Sequence, residues 1–255
     1  MQTATISKAF APRATDNLVR LGDDFDGGYV VDKASVEAAD ILIALGVGDS
    51  WGFEEDCLKL NPMPLEAYDP TVGLGWYWRE FGRSCVVFFN HKFVRNRFRI
   101  LKGYYEFFRG DRRHHRKFVG EDKQANEVSL AEVLKTFGVG PDKKVFLKID
   151  IEGSEYRILE TLIENAPYIT GLAIEFHDFD LHQHKIKDFI KRFGLTIAHI
   201  HCNNCAPIAN DGQPMVVEIS FTQTPGKKSA APALPHPDFD MPNEKKRADY
   251  AIQFA

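Results

Sequence analysis

The chain has 255 residues, of which 44% are hydrophobic and 27% charged, and its formal net charge is −4. This composition excludes wholesale disorder, and the length allows a large core that needs no disulfide or metal to hold it together. No apolar run reaches the ~18 residues of a membrane span, and the N-terminus lacks a basic-then-apolar secretion signal. With only four cysteines, these features predict a single domain over residues 1–255 in the cytoplasm.

Apolar runs alternate with amphipathic stretches along the chain. The sequence predicts strands over 41–48, 64–70, 85–93, 143–153, 169–179, 195–202 and 216–223. Helices are predicted over 53–60, 128–138 (with Ser129 as N-cap), 154–167 and 184–194. Such alternation is typical of an α/β fold with a mostly parallel sheet and helices on both faces. Residues 224–255 are predicted to be a Pro-rich extension, in which 248–254 returns as an edge strand.

Basic residues are concentrated in one segment. Residues 92–117 contain ten Lys or Arg against two acids, so this segment carries +8 and the remainder of the chain −12. Six aromatic residues are interleaved with these cations. We expect 92–125 to be a basic and aromatic insertion that caps an acceptor site and binds an anionic partner. Two alternatives are an exposed amphipathic helix whose aromatics form its core face, and a contact in a homo-oligomer.

Chemically active side chains follow the predicted strands at their carboxyl ends, where ligands bind in open parallel sheets. The candidates at these ends are Gly46, Gly48, Asp69, Asp150, Glu152, Glu175, His177, Asp178, His201, Asn203 and Asn204. Because these ends meet at one edge of the sheet, we expect a ligand site there.

The first strand ends in Gly46-Val47-Gly48, where a backbone can approach a ligand closely. The dinucleotide pattern GxGxxG would require glycine at position 51, which is Trp51, and the GxxxxGK[ST] phosphate loop is absent. An acid at the end of the second strand, Asp69, could accept the protons of both ribose hydroxyls. These features favour S-adenosylmethionine over NAD.

The stretch LKIDIEGSEYRILE (147–160) resembles the signature of the FkbM-type S-adenosylmethionine-dependent methyltransferases. The segments LVRLGDDFDGGYVV (18–31), AYDPT (67–71) and DMPNEKKRADYAIQF (240–254) are similar to parts of a bacterial subgroup of that family. The resemblance implies a Rossmann-like class I methyltransferase fold with a seven-stranded sheet, and methyl transfer to oxygen, often on a sugar. It also implies cofactor-binding roles for Gly46, Gly48 and Asp69, and for Asp26 and Tyr29 in a cofactor-proximal segment (18–40).

Methylation of an alkyl hydroxyl requires a base or a metal ion near the acceptor. Asp150 is the first candidate for base or metal ligand, and Glu175 and His177 share a face of the next strand. His201 would reach in from the strand after that. Asp150 and Glu175 are the predicted ligands of Mg²⁺ or Mn²⁺, if a metal is used.

Less specific interpretations apply to several of these residues. Glu152 and Glu155 can simply place negative charge at a helix N-terminus. The sequence His199-x-His201-Cys202-x-x-Cys205 is a weak zinc pattern, because its ligands would diverge along one strand. The sequence therefore predicts an O-methyltransferase that acts on a hydroxyl of a sugar or of an anionic or nucleotide-linked glycan precursor. Two alternatives are an RNA methyltransferase that binds its substrate through 92–117, and an inactive methyltransferase-like binding module.

Overall fold

The computed structural model describes residues 2–13, 16–86, 91–120, 126–223 and 233–255. Its strands are β1 (Thr3–Ile6), β2 (Leu18–Leu21), β3 (Tyr29–Asp32), β4 (Ile41–Leu45), β5 (Leu65–Tyr68), β6 (Arg112–His115), β7 (Phe118–Gly120), β8 (Glu127–Ser129), β9 (Val145–Ile149), β10 (Ile169–Phe176), β11 (Thr196–Cys202), β12 (Val217–Thr222) and β13 (Ala251–Phe254). Its α-helices are α1 (Lys33–Glu37), α2 (Gly52–Leu60), α3 (Leu74–Val86), α4 (His91–Phe107), α5 (Leu130–Thr136), α6 (Leu159–Asn165) and α7 (Phe179–Phe193).

Seven strands form the central sheet in the order β11-β12-β10-β9-β4-β5-β6. The pairs from β10 to β6 are all parallel, whereas β12 runs antiparallel to both β10 and β11. Strand order reverses at β4 and β9, so the carboxyl ends of these two central strands border the crevice where a Rossmann-like sheet binds its ligand. The predicted mostly parallel seven-stranded sheet is confirmed.

The core lies on both faces of this sheet. All five residues of β4 are buried, because a central strand of a parallel sheet is covered on both sides. Ile41, Ile43 and Leu45 pack into one hydrophobic cluster with residues of α5, α6 and α7, whereas Leu42 and Ala44 pack into a second cluster with α2. Alternate side chains of one strand therefore hold helices on opposite faces.

The prediction of a strand over 85–93 is wrong. Helix α3 extends to Val86 and α4 begins at His91, while residues 87–90 lie outside the described residues. In α4 the buried residues Leu101, Tyr104 and Phe107 recur every third position, which is a helical period. The third strand in chain order within the sheet is β6 instead, whose sequence RRHH carries no apolar alternation because it lies at the sheet edge.

Smaller differences concern segment ends. Ser129 caps α5 as predicted, since its hydroxyl accepts a hydrogen bond from the backbone N–H of Glu132 over 3.1 Å. The helix predicted over 154–167 is divided into a 3-10 turn (Glu155–Arg157), α6 and a second 3-10 turn. Strand β13 forms within 248–254, but it pairs in parallel with β1 in a separate two-stranded sheet.

Across the described residues, no helix combines the length and apolarity that a membrane span requires.

Candidate active site

The turn after β4 requires glycine at Gly46. This residue has φ +78°, and a Cβ atom there would lie 1.7 Å from the backbone oxygen of Asp150. Gly48 also has positive φ, +59°, but no atom lies within 4 Å of the position its Cβ would take. The first glycine therefore allows two strand ends to approach each other, whereas the second leaves open space beside the turn.

Asp69, directly after β5, holds this turn in place. Its Oδ2 accepts hydrogen bonds from the backbone N–H groups of Val47 (3.0 Å) and Gly48 (2.8 Å). Its Oδ1 accepts from the backbone N–H (2.8 Å) and hydroxyl (2.5 Å) of Thr71. Burial alone would raise the pKa of Asp69, but these hydrogen bonds outweigh it and lower the pKa below its usual value. Because four donors already occupy both oxygens, a ribose hydroxyl can bind Asp69 only by sharing or displacing one of them, most directly Thr71.

A cavity of about 870 Å³ opens beside the turn at the carboxyl ends of β4, β5 and β9. Gly46, Val47, Gly48, Phe53 and Tyr68 contribute to its walls. Seven acidic and three basic side chains line it, namely Asp26, Asp49, Glu54, Asp69, Glu127, Asp150 and Glu152 against Lys117, Lys148 and Arg157. This balance suits a ligand with net positive charge and disfavours a pyrophosphate.

Asp150 follows β9 and reaches the cavity between two donors. Its Oδ2 lies 3.3 Å from the hydroxyl of Tyr29 and 3.6 Å from Nζ of Lys148. The Lys148 ammonium is buried and also donates to the backbone oxygen of Gly46. Burial alone would lower the pKa of Lys148, but the charges of Asp150, Glu54 and Glu175 raise it above its usual value. Lys148 is therefore a permanent cation that ties Asp150 to the glycine turn.

Glu175, in β10, and His177, directly after this strand, lie close to Asp150. One donor atom from each of these three side chains lies within 4.8 Å of the others. The Nε2 atom of His177 is 3.4 Å from Glu175 and 3.3 Å from Glu152. Burial, with the charge of Asp150 next, raises the pKa of Glu175 well above its usual value. The three side chains thus form one electrostatically coupled group at the end of β9 and β10.

His177 is held by a residue that the sequence assigned to a helix end. Glu155 is fully buried, and its Oε1 accepts from the backbone N–H groups of Ile151 (3.1 Å) and Gly153 (3.2 Å) and lies 3.1 Å from Nδ1 of His177. Burial would lower the pKa of His177, but this hydrogen bond and the nearby carboxylates raise it to about 9. His177 is therefore an imidazolium at neutral pH, and Glu155 fixes both the turn and the histidine.

His201 lies apart from this group. It is buried in β11, with Nδ1 3.2 Å from Glu218 and Nε2 3.1 Å from Asp249. These hydrogen bonds overcome the effect of burial and raise the pKa of His201 well above its usual value. The amide of Asn203, two residues later, lies 3.3 Å from Glu175. The end of β11 therefore reaches the site through Asn203, and a catalytic role for His201 stays a prediction.

Asp26, at the other side of the cavity, is linked to the C-terminal segment. Its Oδ1 lies 3.4 Å from the side-chain amide of Asn243, which also donates to Glu218 over 2.6 Å. Burial raises the pKa of Asp26. Sequence analysis assigns no catalytic or binding role to Lys148, Glu155, Glu218 or Asn243. The one available signal is Lys148, a lysine within an apolar strand, since a buried lysine requires partners.

The basic segment 92–117 comprises most of α4 and all of β6. Tyr104 and Phe107 belong to the core face of the helix, as the amphipathic alternative proposed, whereas Phe98 is 50% exposed and Tyr105 68% exposed. Arg97 lies 3.8 Å from Asp49, which lines the cavity. The helix therefore brings basic charge to the cavity rim, and part of the segment builds the sheet edge.

Part of the chain that lines this cavity matches the model of a known protein family. Residues 91–197 match the family model of the methyltransferase FkbM domain. This part of the chain, residues 91–197, is therefore similar to the FkbM methyltransferase domain. The match includes the stretch 147–160 that suggested this family, and it covers β9, β10 and the Asp150, Glu175 and His177 group. It identifies an S-adenosylmethionine-dependent methyltransferase, and the sheet order is that of the class I methyltransferase fold.

Solved structures with a related arrangement are distant in sequence. A fibrillarin pre-rRNA processing protein from Methanococcus jannaschii is 10% identical, with 76% of this chain and 70% of that chain covered and a TM-score of 0.36. The precorrin-6y C5,15-methyltransferase from Geobacter metallireducens is 14% identical, with 74% and 84% covered and a TM-score of 0.36. A putative sarcosine dimethylglycine methyltransferase from Galdieria sulphuraria is 10% identical, with 76% and 82% covered and a TM-score of 0.38. A search of curated protein sequences finds no match.

Proposed function

We propose that this enzyme transfers the methyl group of S-adenosylmethionine to a hydroxyl of a sugar or glycan precursor. The observation that carries the proposal is the position of the Asp150, Glu175 and His177 group beside the cavity formed by the glycine turn and Asp69. A net acidic cavity accommodates a sulfonium cofactor, and adjacent carboxylates can bind and deprotonate a polyhydroxylated acceptor.

When bound, S-adenosylmethionine supplies an electrophilic methyl carbon. Transfer of that carbon to the acceptor would require a residue that takes the proton of the acceptor hydroxyl. In the proposed mechanism Asp150 receives this proton, while Tyr29 and Lys148 hold its carboxylate in place. Glu175 and His177 orient the acceptor, and Gly46, Gly48, Asp69, Asp26 and Tyr29 border the cofactor. His201 contributes through the buried network around Glu218.

The acceptor is proposed to carry negative charge away from the methylated hydroxyl. Arg97 at the cavity rim and the exposed cations of α4 can bind a phosphate or carboxylate there. We also propose a cytoplasmic location, which is supported by the four free cysteines Cys57, Cys85, Cys202 and Cys205.

Methyl transfer from labelled S-adenosylmethionine to a panel of sugars, sugar phosphates and nucleotide sugars tests this function. Asp150→Asn should lower the rate by about 10²–10⁴-fold, as expected for loss of a general base. Asp142→Asn is the matched control, because it makes the same substitution at an exposed aspartate that does not line the cavity. Equal rates for Asp150→Asn and wild type would contradict the role of Asp150.

A divalent cation is a separate proposal, with Asp150 and Glu175 as its ligands and His177 as a third donor, whose imidazolium would have to lose its Nε2 proton on metal binding. Two carboxylates and an imidazole suit Mn²⁺, and Mg²⁺ less well. Bound metal would polarise the acceptor oxygen. Full activity of the enzyme after dialysis against EDTA would refute this proposal, whereas loss of activity that Mn²⁺ restores would support it.

RNA is the second candidate acceptor, favoured by the exposed rings of Phe98 and Tyr105 beside the cations of α4. Binding of RNA oligonucleotides should then weaken steeply with salt concentration. Methylation of sugars without measurable RNA binding would exclude this candidate.

A further inference from the structure

Glu54 is a buried carboxylate that the proposed mechanism does not use. It lies in the first turn of α2, is only 2% exposed and lines the cavity. Its Oε1 atom has no hydrogen-bond partner. A buried carboxylate oxygen without a donor is costly. In a residue that lines a ligand cavity, such an oxygen indicates a donor supplied by the ligand.

Most other carboxylates of the cavity are already engaged. Asp69 receives four hydrogen bonds, Asp150 lies beside Tyr29 and Lys148, and Asp26 is bonded to Asn243. Asp49 at the rim is 58% exposed. Among the cavity-lining residues that the structure describes, Glu54 has the buried carboxylate oxygen left without a partner. A donor on the ligand would therefore bind most favourably at Glu54.

We propose that Oε1 of Glu54 accepts a hydrogen bond from the α-ammonium group of S-adenosylmethionine, so that this part of the cavity is the binding site for the amino-acid portion of the cofactor. This inference rests on the cofactor of the proposed function. The ammonium is the cofactor's strongest hydrogen-bond donor, and a charge-assisted bond in a buried site is stronger than one between neutral groups.

The charges around Glu54 are consistent with this assignment. Burial raises the pKa of Glu54, and the nearby Lys148 cation opposes that rise only in part. Lys148 is itself engaged by the backbone oxygen of Gly46 and by Asp150. An additional cation at Oε1 therefore stabilises the ionised form of Glu54 and removes the cost of the orphaned oxygen.

Calorimetric titration with two ligands tests the proposal. 5′-Methylthioadenosine has the adenosine and the methyl-bearing sulfur of the cofactor, with a neutral thioether in place of the sulfonium, and lacks the amino-acid portion. Glu54→Gln, which keeps the side-chain shape, should bind S-adenosylmethionine about ten- to a hundred-fold more weakly than wild type, and 5′-methylthioadenosine with unchanged affinity. The control is Glu55→Gln, which removes the same charge from an exposed neighbour on the same helix and should change neither affinity.

Three other outcomes would overturn the proposal. If Glu54→Gln binds S-adenosylmethionine as tightly as wild type, Glu54 does not contact the ammonium. If the variant loses affinity for both ligands equally, Glu54 supports the cavity structure instead. If wild type binds 5′-methylthioadenosine but gains no affinity from the amino-acid portion, the subsite is absent although the nucleoside site is intact. Failure of wild type to bind either ligand would instead refute the cofactor itself, and this inference with it.

Discussion

The hydroxyl of Tyr29 donates a hydrogen bond to Oδ2 of Asp150 over 3.3 Å, joining the start of β3 to the end of β9. The Tyr29 ring is buried and meets Phe53 edge-on at 5.3 Å between centroids. Burial and the charges of Asp150 and Glu175 raise the pKa of Tyr29 well above its usual value, so it remains a hydrogen-bond donor. Tyr29 thereby orients the carboxylate that is proposed to deprotonate the acceptor.

Replacing Tyr29 by Phe should lower kcat by about ten-fold or more, because a hydrogen bond to a charged group contributes about 1.5–3 kcal/mol. The ring packing is kept, so the protein should still fold, with a melting temperature lowered by several degrees through loss of the same hydrogen bond. Steady-state kinetics and thermal unfolding measure the two effects. Tyr105→Phe, at an exposed position, is the control; an unchanged kcat in Tyr29→Phe would show that the hydrogen bond does not support catalysis.

The two glycines of the turn should respond differently to alanine. Gly46→Ala places a methyl group against the backbone of Asp150 and should prevent folding or lower stability by several kcal/mol, as overpacking and a strained φ combine. Gly48→Ala meets no neighbouring atom and should cost only about 1–2 kcal/mol from its positive φ. Urea unfolding of both variants measures the difference, and equal losses would contradict the close approach of the two strand ends.

Asp69→Asn should weaken cofactor binding and lower stability by about 1–3 kcal/mol at neutral pH, because an amide cannot accept all four hydrogen bonds. The pKa of Asp69 is lower in the folded state, so its ionised form stabilises the protein above about pH 4, its unfolded-state value, and this contribution is lost as the pH falls through the folded-state value. The stability difference between wild type and variant should therefore shrink in acid. A difference that is constant from pH 7 to pH 3 would argue against this. Methyl transfer unaffected by Asp69→Ala would show that Asp69 is not needed to bind the cofactor.

His201→Gln should destabilise the protein by about 3–5 kcal/mol near neutral pH, because it leaves Glu218 and Asp249 without their buried cation. The pKa of His201 is raised in the folded state, so its contribution is complete below about pH 6.5 and is lost as the pH rises through the folded-state value; Asp249, Glu218 and Asp240 are the charged groups that face it. Chemical unfolding of wild type and variant at pH 6 and at alkaline pH tests whether the stability difference between them shrinks as the pH rises.

Activity of folded His201→Gln separates two roles for this histidine. Retained kcat, measured below the melting temperature of the variant, would assign His201 to structure. A large fall in kcat with unchanged KM would place it in the catalytic network through Glu218. His177→Gln offers the comparison, since His177 lies in the group with Asp150 and Glu175.

Local patterns in the sequence were sufficient for most of the sheet. Buried parallel strands such as β4 and β9 are continuous apolar runs, and the polar residues that follow them lie at the carboxyl edge whatever the loops do. For this reason the glycine turn, Asp69, Asp150 and Glu175 could be expected to meet. The edge strand β6 could not be found in this way, because its sequence RRHH lies at the edge of the sheet, has no fully buried residue and therefore carries no apolar signal.

Only the tertiary structure decided which partners these side chains have. Glu155 meets His177 across 22 positions, Tyr29 meets Asp150 across 121, and Asp26 meets Asn243 across 217. Hydrogen bonding and burial at such separations depend on how the elements pack, which no local period records. The sequence by itself determined the kind of sheet and the residue types at its edge. Packing decided that His177 is a cation, that His201 belongs to a buried network, and that Glu54 faces the cavity with an oxygen unpaired.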